Sequence, residues 1–485
     1  MNAIDLIKIP FSTRGAYTVF SIMKAEEKSQ LFIRDIHGGD LDPGCLFTFK
    51  FESSEKGDSS NGVRFVDLSE IHFEVTPSLL TATYDDLPFM EVAFEDEEVF
   101  RIRTLSSVIN VKLEAVAHKY NTIAQIGSAH WEFTSYFKEI KMGIHKRDGD
   151  GQIHADWSAI GNKDIEIQLG NESEWRFATY LVSEGVHPFV QDSFEKCERR
   201  VNRKFKGWSK RFIISQDIPE NVSPALFEMR VHEASHILWQ NFVSKSGQLK
   251  VPALYMTKNW MTNIWSWDNL FSAMGLMTAS PKSAYEQLIL FETLQSPEGA
   301  FPDYANDRYA SYSCNKPPLL GWCYDWLIQN EKSSIKTFVK PSQLNRIYKM
   351  TEKQTDYWLR HRISDLGLPY YTHGNDSGWD NGTFFSEGVP VITPDLTTFL
   401  LLQIQFLIDY APDQSRAVKW KETYDTLMTS FIENLWDGEA FIAIKWPEKR
   451  IIRMDGTLQR LLPLLLSKNL KEDIIVKLKR DLSEF

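Results

Sequence analysis

The sequence is poor in several things, and each shortage excludes something. Four cysteines, Cys45, Cys197, Cys314 and Cys323, are scattered over 485 residues, too few for a disulfide framework and without the CxxC spacing of a metal site. No apolar run reaches the ~18 residues of a membrane-spanning helix. The N-terminal stretch MNAIDLIKIPFSTRGAYTVF lacks the apolar core and small-residue cleavage site of a secretory leader, so the expected compartment is the cytoplasm. Positive charge is in deficit: 54 Lys and Arg stand against 65 Asp and Glu, a net charge of −11. That balance argues against a nucleic-acid-binding face and against anchorage to an anionic membrane. Tight repeats and low-complexity linkers are missing as well.

What remains is an ordinary globular composition, 43% hydrophobic and 25% charged. The length suits roughly two to four domains. Its excess is aromatic, with 15 Trp, 17 Tyr and 31 Phe. Such rings fill cores, and they also stack on the flat faces of sugars.

The two halves differ in period. Up to about residue 215, alternating runs such as 31–39, 45–52, 89–105 and 164–170 end in Gly, Asp and Asn turn signals. This pattern predicts antiparallel strands with one buried face, and so many of them predict a β-sandwich. Segments 112–123 and 190–206 fit neither period cleanly. From Ser223 onward helical spacing dominates. Ser223-Pro224 suits an N-cap and first turn, and Ser280-Pro281 and Thr393-Pro394-Asp395 repeat that logic. Helices are predicted after Ser223 and over 268–279, 281–296, 317–330, 342–361, 394–411, 412–436, 457–468 and 470–483. Three segments rich in aromatics and carboxylates, 255–268, 297–318 and 363–393, are separated by about two helices each. A chain running out and back between such loops sets them on one face. The expected fold is a β-sandwich over 1–215, a linker helix in 216–250, and an incomplete (α/α)6 toroid of helical hairpins over 251–485.

The densest segment is 370–388, where Asp376, Asp380 and Glu387 share a Gly-broken loop with Trp379 and two Phe. Desolvation beside aromatic walls pushes a carboxyl up, as a general acid near neutrality requires. The plainer alternative is a turn whose Asp and Asn cap the backbone. Segment 255–268 ends in Trp265, Trp267 and Asp268 at a helix start. There the indoles suit a sugar face and the carboxylate its hydroxyls; equally, the helix dipole favours an acid there and the indoles are core. The run from Gln295 through Asp303 to Lys316 is a loop of a length unusual without a function.

His232-Glu233-Ala234-Ser235-His236 matches the H-E-x-x-H zinc helix, with both His on one face. The following ILWQNF brings no Gly and no third His, and Glu331, the conceivable third ligand, lies far along the chain. Helix packing is the preferred reading and a zinc peptidase the lesser one, so neither metal nor cofactor is expected. Asp148–Gln152 opens like a calcium loop, but Ile153 and Ala159 occupy its glycine and glutamate positions. A hairpin turn is expected there.

Taken together, several motifs resemble in order and spacing the inverting glycosidases built on (α/α)6 barrels. They are Trp265-Ser266-Trp267-Asp268, Gln295-x-x-x-Gly299-x-x-Pro302-Asp303, Lys316-Pro317-Pro318, Ser377-Gly378-Trp379-Asp380-Asn381 and Pro394-Asp395-Leu396. The likeness is greatest to glycoside hydrolase family 63 and its mannosylglycerate-hydrolase-like branch, with trehalases more distant. It covers about 225–485, and a β-sandwich in front also fits. The resemblance implies that Asp380 is the general acid and that Trp265, Trp267 and Asp268 line the −1 sugar site. Gln295, Asp303, Lys316, Trp379 and Asn381 would complete it, around a small α-glucoside or glycosyl-glycerate. An inverting enzyme also needs a base carboxylate. The family's base, a Glu late in the barrel behind a Trp-Arg-Gly-Pro-like loop, has no counterpart here. Nine helices are counted from Ser223 onward, where a closed six-hairpin toroid has more. The expectation is a chain cut short of its base, with weak hydrolysis or none, and a carbohydrate-binding remnant as the alternative to an active hydrolase. Glu387 and Asp376 are the remaining candidates for the base, although both share the loop of the acid. An open toroid exposes apolar flanks, so self-association through that end is expected. Apart from that and the sugar, no partner is expected, neither nucleic acid nor membrane.

Overall fold

Where apolar and polar residues alternate, the computed structural model has strands. It describes residues 5–25, 28–53, 64–183, 191–214, 218, 220–330 and 335–485. These divide into two units, Met1–Ser246 with Pro252–Asn263, and Gly247–Val251 with Ile264–Phe485. Among the described residues no helix is long and apolar enough to cross a membrane.

The first unit contains a sandwich of two antiparallel sheets. One runs in the order Thr18–Ala25, Lys28–Asp35, Cys45–Ser53, Ile109–Ala115, Asn162–Gln168, Gln152–Trp157. The other runs Thr122–Gly127, His130–Ser135, Ile140–Asp148, Glu174–Leu181, Val99–Thr104, Leu87–Phe94, Leu80–Tyr84, His72–Val75. Inward positions of the two sheets meet through phenylalanines. Ring centroids lie 4.8 Å apart for Phe47 and Phe133, 5.1 Å for Phe20 and Phe100, and 5.6 Å for Phe51 and Phe89. The ambiguous 112–123 is the end of one strand and the start of another, in different sheets. Residues 149–151 are not a hairpin turn. They carry the chain from Ile140–Asp148 in one sheet to Gln152–Trp157 in the other. Gly149 makes that crossing at φ +89°, where a Cβ would sit 2.3 Å from the Ser173 side chain.

Two helices belong to this unit. Helix α1 (Phe194–Ile214) fills most of the ambiguous 190–206. Its buried Phe194, Cys197, Val201, Phe205, Trp208 and Phe212 recur every three or four residues, the stripe of an amphipathic helix. Helix α2 (Pro224–Asn241) starts at Ser223, whose side chain accepts from the Leu226 N–H. The segment 252–263 joins the sandwich for an electrostatic reason. The fully buried Lys258 ammonium donates to Ser12 Oγ (3.2 Å), the Thr13 carbonyl (3.1 Å) and the Ala16 carbonyl (2.6 Å). Buried Arg34 donates to the Asn259 carbonyl and to Ser21 Oγ (3.0 Å).

The second unit is helical. Helix α3 (Asp268–Leu276) packs with α4 (Pro281–Leu288) and α5 (Leu320–Gln329). The short α6 (Ile335–Phe338) precedes α7 (Pro341–His361). Helix α8 (Pro394–Asp409) is buried nearly all round, against α5, α7 and α9 (Gln414–Leu435), as a helix apolar on most faces must be. Helix α10 (Glu472–Glu484) ends the chain. Two expected helices differ. The one over 281–296 stops at Leu288 and resumes as a 3-10 turn, Glu292–Leu294. The one over 457–468 is two 3-10 turns, Leu458–Arg460 and Leu462–Leu466; Pro463 lacks the N–H that an α-helical ladder would use there.

Lys258→Ala would unpair the buried Ala16 carbonyl, leave the Thr13 carbonyl only its bond from the Ala16 N–H, and open a cavity, costing on the order of 3 kcal/mol. A clear drop in thermal midpoint is expected, with partial recovery in Lys258→Met, which keeps the apolar stem. An unchanged midpoint would remove the ammonium from its anchoring role.

Candidate active site

Each of the three chemistry-bearing segments is tied down by a strand too short to have a period. Ile264–Trp265 pairs with Tyr304–Ala305, which pairs with Ala310–Ser311. The long loop after Gln295 therefore folds onto the segment that carries Trp265, Trp267 and Asp268. The Ser266 N–H donates to the Asp303 carbonyl at 3.0 Å, fixing the two chains next to the carboxylates. The loop 372–390 leaves from Tyr370–Tyr371 and returns at Val391–Ile392, and these two strands pair with each other.

Lys316 joins the second segment to the third. Its Nζ lies 3.1 Å from Asp303 Oδ1 and also donates to the Asn375 carbonyl. Next to it, the Asn315 N–H donates to Asp376 Oδ1 at 3.0 Å. The other oxygen of Asp376 accepts from the N–H groups of Thr372 (2.8 Å) and His373 (3.0 Å). Asp376 is thus a buried carboxylate that holds the loop together through backbone donors. Asp303 and Lys316 are buried as well, 6% and 8% exposed.

Burial raises the Asp268 carboxyl above the ordinary aspartate range; Asp380 and Asp303 push it further and Lys316 opposes. Burial also raises Asp303, against the pull of Lys316. Asp395, fully buried in the first turn of α8, is raised by burial too. Its Oδ2 accepts from the Tyr371 hydroxyl (3.1 Å) and from the Trp379 indole N–H (3.2 Å). The sequence motif contained Asp395 but suggested no role for it; the structure makes it the anchor of Trp379.

The indoles form walls. Trp265 lies 5.3 Å from Tyr304 between centroids. Trp267 meets Trp379 at 5.8 Å, inclined by 70°. Gly378 adopts φ +72°, and a Cβ there would come within 2.2 Å of the Trp267 ring. Only glycine lets that loop pass so close to the indole.

Trp265, Trp267, Asp268, Asp303, Lys316 and Trp379 are thereby linked into one constellation by pairing, ion pair and ring contact. Gln295 spends its amide N–H on the carbonyls of Gly299 (2.9 Å) and Met350 (3.0 Å). Asp380 and Asn381 are exposed on the loop that follows Trp379. Glu387 is exposed and ion-paired with Arg450. The H-E-x-x-H motif belongs to the other unit. His232 and His236 on α2 both lie edge-on to Phe205 of α1, at 5.2 and 5.6 Å. Burial pushes His236 down to about 4, and Glu233 pairs with Arg230 at 3.0 Å. Among the described residues no group of three or more His, Cys, Asp or Glu gathers as metal ligands; Glu331 lies outside them.

Flat indoles beside carboxylates and an ammonium suit a polyhydroxylated ring, and a sandwich followed by a helical domain carries them. Residues 261–483 match the family model described as the mannosylglycerate hydrolase MGH1-like glycoside hydrolase domain. No curated protein matches the sequence. Similar solved structures include a GH63 mannosylglycerate hydrolase from Thermus thermophilus in complex with glucose, with 18% identity, 52% of this chain and 74% of that one covered, and a TM-score of 0.40. An uncharacterized conserved protein from the same organism has 16% identity over 51% of this chain and 74% of its own, with a TM-score of 0.41. A putative kojibiose phosphorylase from human microbiome has 11% identity over 88% of this chain and 68% of its own, with a TM-score of 0.49.

The raised Asp395 predicts a pH signature. Its native form holds a proton more tightly than the unfolded chain does, so its ionisation costs stability as pH rises through the raised native value. Asp395→Asn should melt above wild type at pH 7, and the gain should shrink on acidification. Asp395→Ala, which strands the Tyr371 hydroxyl and the Trp379 N–H, should lose about 1–3 kcal/mol. A pH-independent difference between wild type and Asp395→Asn would contradict the buried charge.

Proposed function

We propose that the chain is an inverting glycoside hydrolase acting on a small α-glycoside, of the α-glucoside or glycosyl-glycerate type. Asp380 donates the proton to the glycosidic oxygen as the bond breaks. Trp265, Trp267 and Trp379 wall the −1 sugar, and Asp268 accepts from its hydroxyls. Asp303 and Lys316, with Gln295 and Asn381, complete the site. The observation that carries this reading is the link from Lys316 to Asp303 and the Asn375 carbonyl. It ties the loop of Asp303 to the loop that carries Trp379 and Asp380 through one buried ammonium, at motifs that the family match includes.

Inversion needs a second carboxylate across the sugar, roughly 6.5–9.5 Å from the acid, to activate water. One observation favours the alternative of a carbohydrate-binding remnant. Glu387 is neutralised by Arg450, and both Asp376 oxygens already accept backbone N–H groups, so neither stands ready as a base.

Hydrolysis of α-linked disaccharides and glycosyl-glycerates, with the product anomer followed by NMR, tests the proposal. Inverted product is expected, falling roughly 10²–10⁴-fold in Asp380→Asn with sugar affinity kept, as loss of a general acid predicts. Saturable binding without turnover, weakened at least ~10-fold in Asp268→Ala (about 1.4 kcal/mol), would select the remnant. Retained anomeric configuration, or no binding at all, would defeat both.

A further inference from the structure

The β-sandwich carries a cavity that the glycosidase reading does not use. We infer that it is a second carbohydrate-binding site, taking a short neutral oligosaccharide; the choice of a sugar rests on the proposed glycosidase activity. The cavity, about 520 Å³, lies at the link between Ile109–Ala115 and Thr122–Gly127 and the turn between Gln152–Trp157 and Asn162–Gln168. Small-molecule sites fall in that size range, ~300–1,000 Å³. Its lining mixes aliphatic Val116 and Ile160 with polar His118, Asn121, Ser158 and Asn162.

The cavity walls are preformed. The Asn162 N–H donates to the Asn121 carbonyl at 2.8 Å, and the Ile123 N–H donates to Asn162 Oδ1 at 2.9 Å. Ala159 in that turn and Asp164 in the strand after it hold φ of +60° and +50°, uncommon for non-glycine residues. Asn121 is 3% exposed; its Nδ2 donates to the Val116 carbonyl, while its buried Oδ1 has no partner.

The neighbouring surface is aromatic. Trp157, next in the chain to the lining Ser158, is 65% exposed, and Tyr136 and Phe137 are 62% and 59% exposed. The ring of Tyr120 lies 5.2 Å from Tyr136 and 5.8 Å from Phe137, and His118 of the wall lies 5.9 Å from Phe137. Exposed rings beside amides and hydroxyls offer faces for pyranose C–H groups and partners for their hydroxyls. Among the lining side chains Lys119 and Lys163 are offset in part by Asp164, which suits a neutral ligand better than a nucleotide.

Native electrophoresis of the full chain through gels containing glycogen or α-mannan tests the site, with calorimetric titration of maltotriose alongside. Wild type and Trp379→Ala should be retarded by at least one polysaccharide. The double variant Trp157→Ala, Phe137→Ala should lose at least tenfold in affinity while keeping its thermal midpoint, since both rings are exposed. Retention lost in Trp379→Ala, retained in the double variant, or absent throughout would overturn the site. Hydrolysis without this retention would remove the second site and leave the proposed activity standing. Retention without hydrolysis would do the reverse.

Discussion

The candidate site depends on one buried cation. Lys316 sits among carboxylates that burial would otherwise drive to protonation, and it neutralises Asp303 while reaching the backbone of the next loop. A charge withdrawn from water is tolerated only where partners surround it, and removing one member of such a set costs more than the set contributes. The 297–318 and 372–390 segments are consequently not independent loops. Each supplies half of an arrangement that neither can satisfy alone, and the Asn315 to Asp376 bond repeats the coupling one residue away.

Within that arrangement the carboxylates divide by duty. Asp376 and Asp395 are scaffolding, one organising backbone N–H groups and the other holding a tyrosine hydroxyl and an indole. Asp268 and Asp303 are raised by burial yet stand near Lys316. Asp380 alone of this group is exposed. Sites that hold several carboxyls above their ordinary range give up stability at neutral pH for chemistry.

Much of this was legible in the sequence, for reasons that can be named. Strand alternation and helix caps are local, so the sandwich and most helices of the second half were readable. The order of the Trp265, Asp303, Lys316 and Trp379 motifs pointed to residues that the structure links, through the Ile264–Trp265 to Tyr304–Ala305 pairing, the Lys316 to Asp303 ion pair and the contact of Trp267 with Trp379. Two-residue strands such as Tyr304–Ala305 have no period to detect, and the docking of the 295–318 loop was invisible for that reason. Asp395 looked like a helix-start acid because its partners, Tyr371 and Trp379, lie across a loop. The H-E-x-x-H spacing was met by a helix whose histidines face a phenylalanine of its neighbour. Spacing records which side chains share a face; it does not record what that face touches.

The pairing of Tyr370–Tyr371 with Val391–Ile392 has an evolutionary consequence. Adjacent strands lie ~4.8 Å apart, so the chain leaves the framework and re-enters it at nearly the same point. The span its ends must bridge therefore sets no limit on the length of the loop between them, and only the contacts made by Asn375, Asp376, Gly378 and Trp379 constrain its composition. A lineage that keeps those four strand residues and these contacts can vary the exposed Asp380, Asn381 and Glu387 without reworking the framework.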